Sequence, residues 1–312
     1  TYATLGLGHT DVRVRDHILH DWIRPMTRMA GELGAGLGFF AHAFPQSVLE
    51  DRAAYEEALD DLIDRLAQAA RYGVEAGARV VAVEQMYSPH QPPWTLEGAR
   101  HLLTEAWRRR KAPLYVTIDV GHQYGQSRFL RPTPAQIERW VKSGGRSDRK
   151  DAPWVGTSRA RDGLRAAGAA RGRARDGALA DLNAEMDAHP HLFATPQDGD
   201  PYAWLERFAA YSPIIHLQQT DNSASAHKAF TADHNARGII EPGRVLRAIR
   251  AAYARPPDPA MPPRVEALYL TLEMFSGTAD KPDEILVRMR DSAAYWRRAI
   301  PEDGLPLDAL SV

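Results

Sequence analysis

Five short apolar runs recur along the chain, and an amphipathic stretch separates each from the next. The runs are LGFFAHAF (37–44), RVVAV ahead of Glu84, PLYVTIDVGH (113–122), SPIIHLQQTD (212–221) and VEALYLTLEMF (265–275). They read as strands buried on both faces, the habit of a parallel sheet covered by helices. Between them, Tyr55, Leu59, Leu62, Ile63, Leu66, Ala69, Ala70 and Val74 recur at spacings of three and four, one face of a long helix over 50–76. Ile18, Ile23, Met26, Met29 and Leu33 do the same over 11–34, and Gly34 offers a C-cap. Thr95 is placed to N-cap WTLEGARHLLTEAWRRR, whose terminal arginines suit a helix C-terminus. Two designs fit this alternation, an open doubly wound sheet and a closed (β/α)8 barrel. No GxGxxG or GxxxxGK[ST] follows a strand, so phosphate-loop folds lose their signature.

Composition narrows the function classes. With 39 basic and 40 acidic residues the net charge is −1, which favours neither nucleic acid nor an anionic membrane as a partner. No apolar run reaches the roughly 18 residues of a spanning helix. Cysteine is absent, which removes disulfides, thiolate metal sites and cysteine nucleophiles and is compatible with a cytoplasmic location. The segment 143–180 is rich in Gly, Ala and Arg. It reads as a solvated insertion, or as a lid whose arginines meet an anion.

Four runs share one peculiarity: each ends in a side chain able to bind a metal, Glu84, Asp119, His216 and Glu273. Parallel strands bring their C-terminal ends to one face, where barrel active sites sit. Each residue alone has an ordinary reading: a rim carboxylate for the two glutamates, a turn cap for Asp119, a core histidine for His216. Together they make a ligand set of three carboxylates and one imidazole, suited to Mn²⁺ foremost, then Mg²⁺, Co²⁺ or Fe²⁺, with Zn²⁺ as a further alternative. Without a cation, crowded carboxylates repel and raise each other's pKa. His42, His122, Gln218, Gln219, Asp221, His227 and His234 lie close by in sequence as candidates for holding substrate hydroxyls.

In this order, Glu84, TIDVGH, IIHLQQTD and LTLEMF resemble the xylose-isomerase-like TIM-barrel superfamily of sugar isomerases and epimerases. VEQMYSPHQPPWTLEGA, HLQQTDNSASAHKAFTADHNARGIIEP and the terminal YWRR are similar to its tetrulose-phosphate epimerase/isomerase branch. The resemblance implies an α/β fold, a single (β/α)8 TIM barrel over 1–312 with an insertion at about 143–195. It implies metal ligands at Glu84, Asp119, His216 and Glu273, with Glu84 and Glu273 also shuttling protons, and His122 on a substrate oxygen. His42, Gln218, Asp221 and His227 complete the candidate substrate-binding set. It also implies that the ligand-bearing strands are the fifth to eighth, so two βα units, roughly 60 residues, would precede residue 1. Barrels of this kind often pair as homodimers.

The expected activity is isomerisation or epimerisation of a short-chain ketose or ketose phosphate, by proton transfer through a metal-bound enediolate. The nearest rival is a metal-dependent decarboxylase of a 3-oxo sugar acid, which needs a cation beside the substrate carboxylate. A remote one is an abasic-site DNA endonuclease, which uses more zinc-binding histidines than the strand ends here offer.

Overall fold

The computed structural model describes residues 6–41, 44–143 and 152–310. Five strands form one parallel sheet in the order of the sequence: β1 (Leu37–Phe39), β2 (Val81–Glu84), β3 (Tyr115–Asp119), β4 (Ile214–Leu217) and β5 (Tyr269–Leu272). The order never reverses. A doubly wound sheet would reverse at a switch point, so this is the wall of a barrel, an α/β fold in which each strand is followed by helix. The strands are shorter than the apolar runs that announce them; among the described residues of LGFFAHAF, Leu37–Phe39 is strand.

The helix Arg52–Ala76 shows why these residues fold as they do. Asp51 caps its start by accepting from the N–H groups of Ala53 and Ala54, and Gly77 ends it at φ 73°, a left-handed conformation that glycine adopts without a Cβ clash. Leu62, Ile63 and Leu66 are buried on the sheet side, each stabilising the fold by about 1.5–3 kcal/mol. The expected C-cap at Gly34 is also present, at φ 60°. Thr95 caps Leu96–Arg110 through Gly98 N–H.

Not every apolar position points inward. Ile18 and Ile23 are buried, whereas Val74, Met26, Met29 and Leu33 are exposed. Burial on both faces holds for β2 and β3; β1 and β5, the edges of the sheet, are half open, and Tyr269 is 57% exposed. An edge strand has a neighbour on one side only, so its side chains and theirs stay uncovered.

The Gly/Ala/Arg-rich segment departs from a solvated loop. Its described part holds two helices, Ser158–Ala169 and Arg173–Ala188, turning through Gly172 at φ 55°. With Pro134–Lys142 they enclose a small core of their own around Ile137, Val141, Leu164, Leu182 and Met186. The segment is anchored to the barrel where Ser158 N–H donates to Glu50 Oε1 (2.6 Å) and His191 stacks on Tyr55 (4.0 Å between centroids). Small alanines let the two helices approach closely, which a hydrophobic count alone does not register.

Candidate functional site

Strand register delivers four side chains to one place. Glu84 lies level with Thr117, Asp119 level with His216, and His216 level with Thr271. Side chains two residues apart share a face of a strand. Thr117 and Asp119 therefore share a face, as do Thr271 and Glu273, and all four candidate ligands emerge on it at the C-terminal end. Glu273 sits one residue past β5, held there by its N–H to Leu217 O (2.9 Å).

The ligand atoms of Glu84, Asp119, His216 and Glu273 lie within 4.8 Å of one another. His216 Nδ1 stands between the glutamates, 3.2 Å from Glu84 Oε1 and 3.1 Å from Glu273 Oε2. Burial opposes charging of this imidazole, but hydrogen bonds to Glu273 and Glu84 prevail and push its pKa up to about 10. The hydrogen bond from His216 pulls Glu273 down to about 2 against its own burial. Asp119 is raised, chiefly by burial, with repulsion from Glu273 adding to it.

Asp119 is the most constrained of the four. Its Oδ1 accepts from Gly121 N–H and from Gln218 Nε2, each at 2.7 Å, while its buried Oδ2 accepts no hydrogen bond. Glu273 Oε2 is buried too, and the N–H nearest to it is that of His216 Nδ1 at 3.1 Å, which also faces Glu84 Oε1. An orphaned Asp119 oxygen beside two glutamates that share one imidazole is what a divalent cation with bonds of about 2.0–2.6 Å would satisfy. The residues present fit a divalent cation.

The second tier divides. His122 and His227 join the cluster, their Nε2 atoms 3.5 and 3.6 Å from Asp119 Oδ2. Gln218 does not face a substrate: it is fully buried behind Asp119, its Nε2 donating to that carboxylate and its Oε1 accepting from His227 N–H (2.8 Å). Both ends of its amide are spent on the protein. Asp221 turns away to Ser223 Oγ and Lys228 Nζ. Gln219 and His234 hold loop backbone, at Ile240 O and Ala229 O. His42 lies outside the described residues.

Two contributors were not singled out as site residues from the sequence. Gln85, wholly buried, accepts at its carbonyl from His122 Nδ1 (2.7 Å) and so sets that ring's orientation. Phe275 stacks face to face on His227 at 3.7 Å. A second polar residue directly after Glu84 at the end of a buried strand was the available signal for Gln85; nothing local marks Phe275.

No family model matches the chain. The D-erythrulose 1-phosphate 3-epimerase of Brucella abortus (strain 2308) is 30% identical over 116 residues, 37% of this chain and 34% of that protein. The chain thus aligns with about a third of the length of this curated relative. The structure of a Rhodospirillum rubrum protein assigned as a xylose isomerase superposes with a TM-score of 0.57 at 14% identity, covering 95% of this chain and 73% of that one. A structure of L-ribulose 3-epimerase aligns at 12% identity over 96% of this chain and 71% of that one, with a TM-score of 0.47, too low to establish a common fold. The first two matches bear out the resemblance to xylose-isomerase-like barrels read from the residues.

Proposed function

This chain has the xylose-isomerase-like barrel fold, and from that premise we propose that it is a divalent-metal-dependent isomerase or epimerase of a short-chain ketose or ketose phosphate of the tetrulose or pentulose class. One observation carries the reading: two glutamates, an aspartate and a histidine converge within 4.8 Å at the C-terminal end of the sheet. The similarity to an erythrulose phosphate epimerase supports the substrate class.

Glu84, Asp119, His216 and Glu273 would hold the ion, with Mn²⁺ ranked first for so oxygen-rich a set. Bound there, it would polarise a substrate carbonyl and acidify the neighbouring C–H. The chain's own groups do the rest. Glu84 and Glu273 come from opposite sides of His216, so one carboxylate takes the proton from one face of the substrate carbon and the other returns it to the opposite face, inverting the centre. Return to the adjacent carbon gives aldose–ketose exchange instead. His122 and His227 face the same space, placed to meet substrate oxygens.

The test is solvent deuterium uptake at the reacting carbon, followed by NMR on tetrulose and pentulose phosphates. Glu84→Gln that still binds metal is expected to abolish the exchange; undiminished exchange would sink the assignment. A decarboxylase would need a cation beside the substrate carboxylate, and measuring CO₂ release against epimer formation separates the two readings.

The full eight-unit barrel is part of the same proposal. Trp22, Met26 and Met29 are exposed at the β1 side, and Tyr269 and Leu286 at the β5 side, where an apolar groove of about 1020 Å³ runs along the strand. We propose that two further βα units cover these edges. Residues 1–312 expressed alone are then expected to bind an apolar dye and self-associate; a monomeric, dye-silent product would overturn this.

A further inference from the structure

We propose that a cavity beside the cluster is the subsite for the phosphate of a phosphorylated ketose, held by Lys228 and Arg288. It rests on the proposed function, and narrows it to phosphorylated substrates. The cavity, of about 240 Å³, lies between the segment after β4 (226–229), the segment after β5 (274–276) and the helix Pro282–Arg297.

Charge identifies the ligand class. Lys228 and Arg288 line the cavity together with His227 and Ser276, and no carboxylate is among the described residues of its wall. Each cation is steadied from outside: Lys228 Nζ lies 3.3 Å from Asp221 Oδ2, and Arg288 Nη2 donates to Asp280 Oδ2 at 2.5 Å. Each of these contacts uses one N–H, whereas an ammonium has three and a guanidinium five. Donors therefore remain for an anion in the cavity. The two side chains are 30% and 33% exposed, and Leu272 and Met289 add apolar wall. Partial removal of water strengthens the pull of both cations on a phosphate.

Position ties that anion to the substrate. β4 and β5 are the last two strands in the sheet order, and in (β/α)8 barrels the loops after the last two strands frequently hold a phosphate. His227 joins cavity and cluster: it lines the one, and in the other its Nε2 stands 3.6 Å from Asp119 Oδ2 and 3.7 Å from Glu273 Oε2. Leu272 and Met274, on either side of Glu273 in the chain, line the cavity as well. A ketose whose carbonyl lies at the cluster would direct the phosphate on its terminal carbon past His227 to Lys228 and Arg288.

Size limits the chain. Pockets for drug-sized ligands begin at about 300 Å³, so a cavity of about 240 Å³ takes a phosphate and a short carbon chain but not a nucleotide. A free ketose draws no binding energy from the two cations. A phosphorylated one does so at a point remote from the reacting carbon, and that energy holds the carbon in register with Glu84 and Glu273.

Phosphate binding and substrate preference test this. Inorganic phosphate is titrated into the metal-free protein and followed by ³¹P NMR. Saturable binding is expected, weakened about 10–100-fold by Lys228→Gln and by Arg288→Gln, the usual weight of a hydrogen bond to a charged group. Phosphorylated and free tetrulose are then compared as substrates of the metal-loaded protein. The phosphorylated one should have the higher kcat/KM, and both variants should shrink the ratio by a similar factor, while Lys228→Arg keeps most of it. No saturable phosphate binding, binding that both variants leave unchanged, or equal kcat/KM for the two substrates overturns this inference and leaves the proposed function standing. Phosphate held by Lys228 and Arg288 in a protein that exchanges no ketose or ketose phosphate overturns the proposed function and keeps the anion site. The wild-type titration and ratio decide the matter even if a variant fails to fold.

Discussion

Gln218 donates from Nε2 to Asp119 Oδ1 across 2.7 Å, and both residues are wholly buried. This bond leaves Asp119 Oδ2 to the cluster and fixes where it points. It makes Gln218 a positioning residue. Gln218→Leu is expected to weaken metal binding by about 10–100-fold, the usual cost of losing an outer partner of a ligand. Calorimetric metal titration reads the change; an unaltered affinity would show that Asp119 needs no support.

Gly121 makes room for that amide. A Cβ there would lie 2.2 Å from Gln218 Cδ. Gly121→Ala should therefore displace Gln218, cost about 1–3 kcal/mol in overpacking, and weaken metal binding as Gln218→Leu does. Chemical denaturation and metal titration on the same sample check both effects.

Asp119 trades stability for binding. Burial raises its pKa, so its charge is costly when no cation is present. Asp119→Asn should abolish measurable metal binding while leaving the metal-free protein as stable as the parent, or about 1 kcal/mol more so. Thermal melts with and without chelator separate the two effects. A large destabilisation of the metal-free form would mean that the carboxylate has a structural role instead.

His216 gives the metal-free protein a pH dependence of known sign. Its folded pKa, about 10, is raised above the ordinary 6.5. The stability it contributes is thus fully present below about pH 6.5 and is lost as pH rises through about 10. The melting temperature of chelator-treated protein should fall over that window, and His216→Gln should flatten the fall. A ligating imidazole must be deprotonated, so metal binding near neutral pH should release about one proton, seen by calorimetry in buffers of different ionisation enthalpy.

The inserted helices have their own small core, in which Leu182 is buried against Leu164 and its neighbours. Leu182→Ala should open this segment to protease, at a local cost of about 2–5 kcal/mol, while metal binding persists. Simultaneous loss of metal binding would show that the insertion and the cluster act as one unit.

The fold was legible in the sequence where short-range physics determines it. Thr95 and Gly34 bound their helices because caps act within a turn, and the helix stripe Leu62, Ile63, Leu66 met the core because its period is a property of the α-helix itself. The ligands Glu84, Asp119, His216 and Glu273 could be picked out because each follows an apolar run, and parallel strands share one C-terminal face. The helices at Ser158–Ala169 and Arg173–Ala188 were not legible, because pairing through alanines depends on which two faces meet. Nor was the outward turn of Met26, Met29 and Val74, which depends on where the sheet ends.

By itself, then, the sequence determined that the chain alternates strand with helix and carries four ligand-type side chains at strand ends, since both follow from local periodicity. Only the tertiary structure decided which polar neighbours matter. Gln218 and Asp221 look alike in IIHLQQTD, yet one is buried against Asp119 and the other leaves for Lys228. His227, eleven residues past His216, returns to the cluster only because its loop folds back onto Gln218 and Phe275. Such contacts join residues far apart in the chain, and it is register and packing across the barrel, not local propensity, that bring them together.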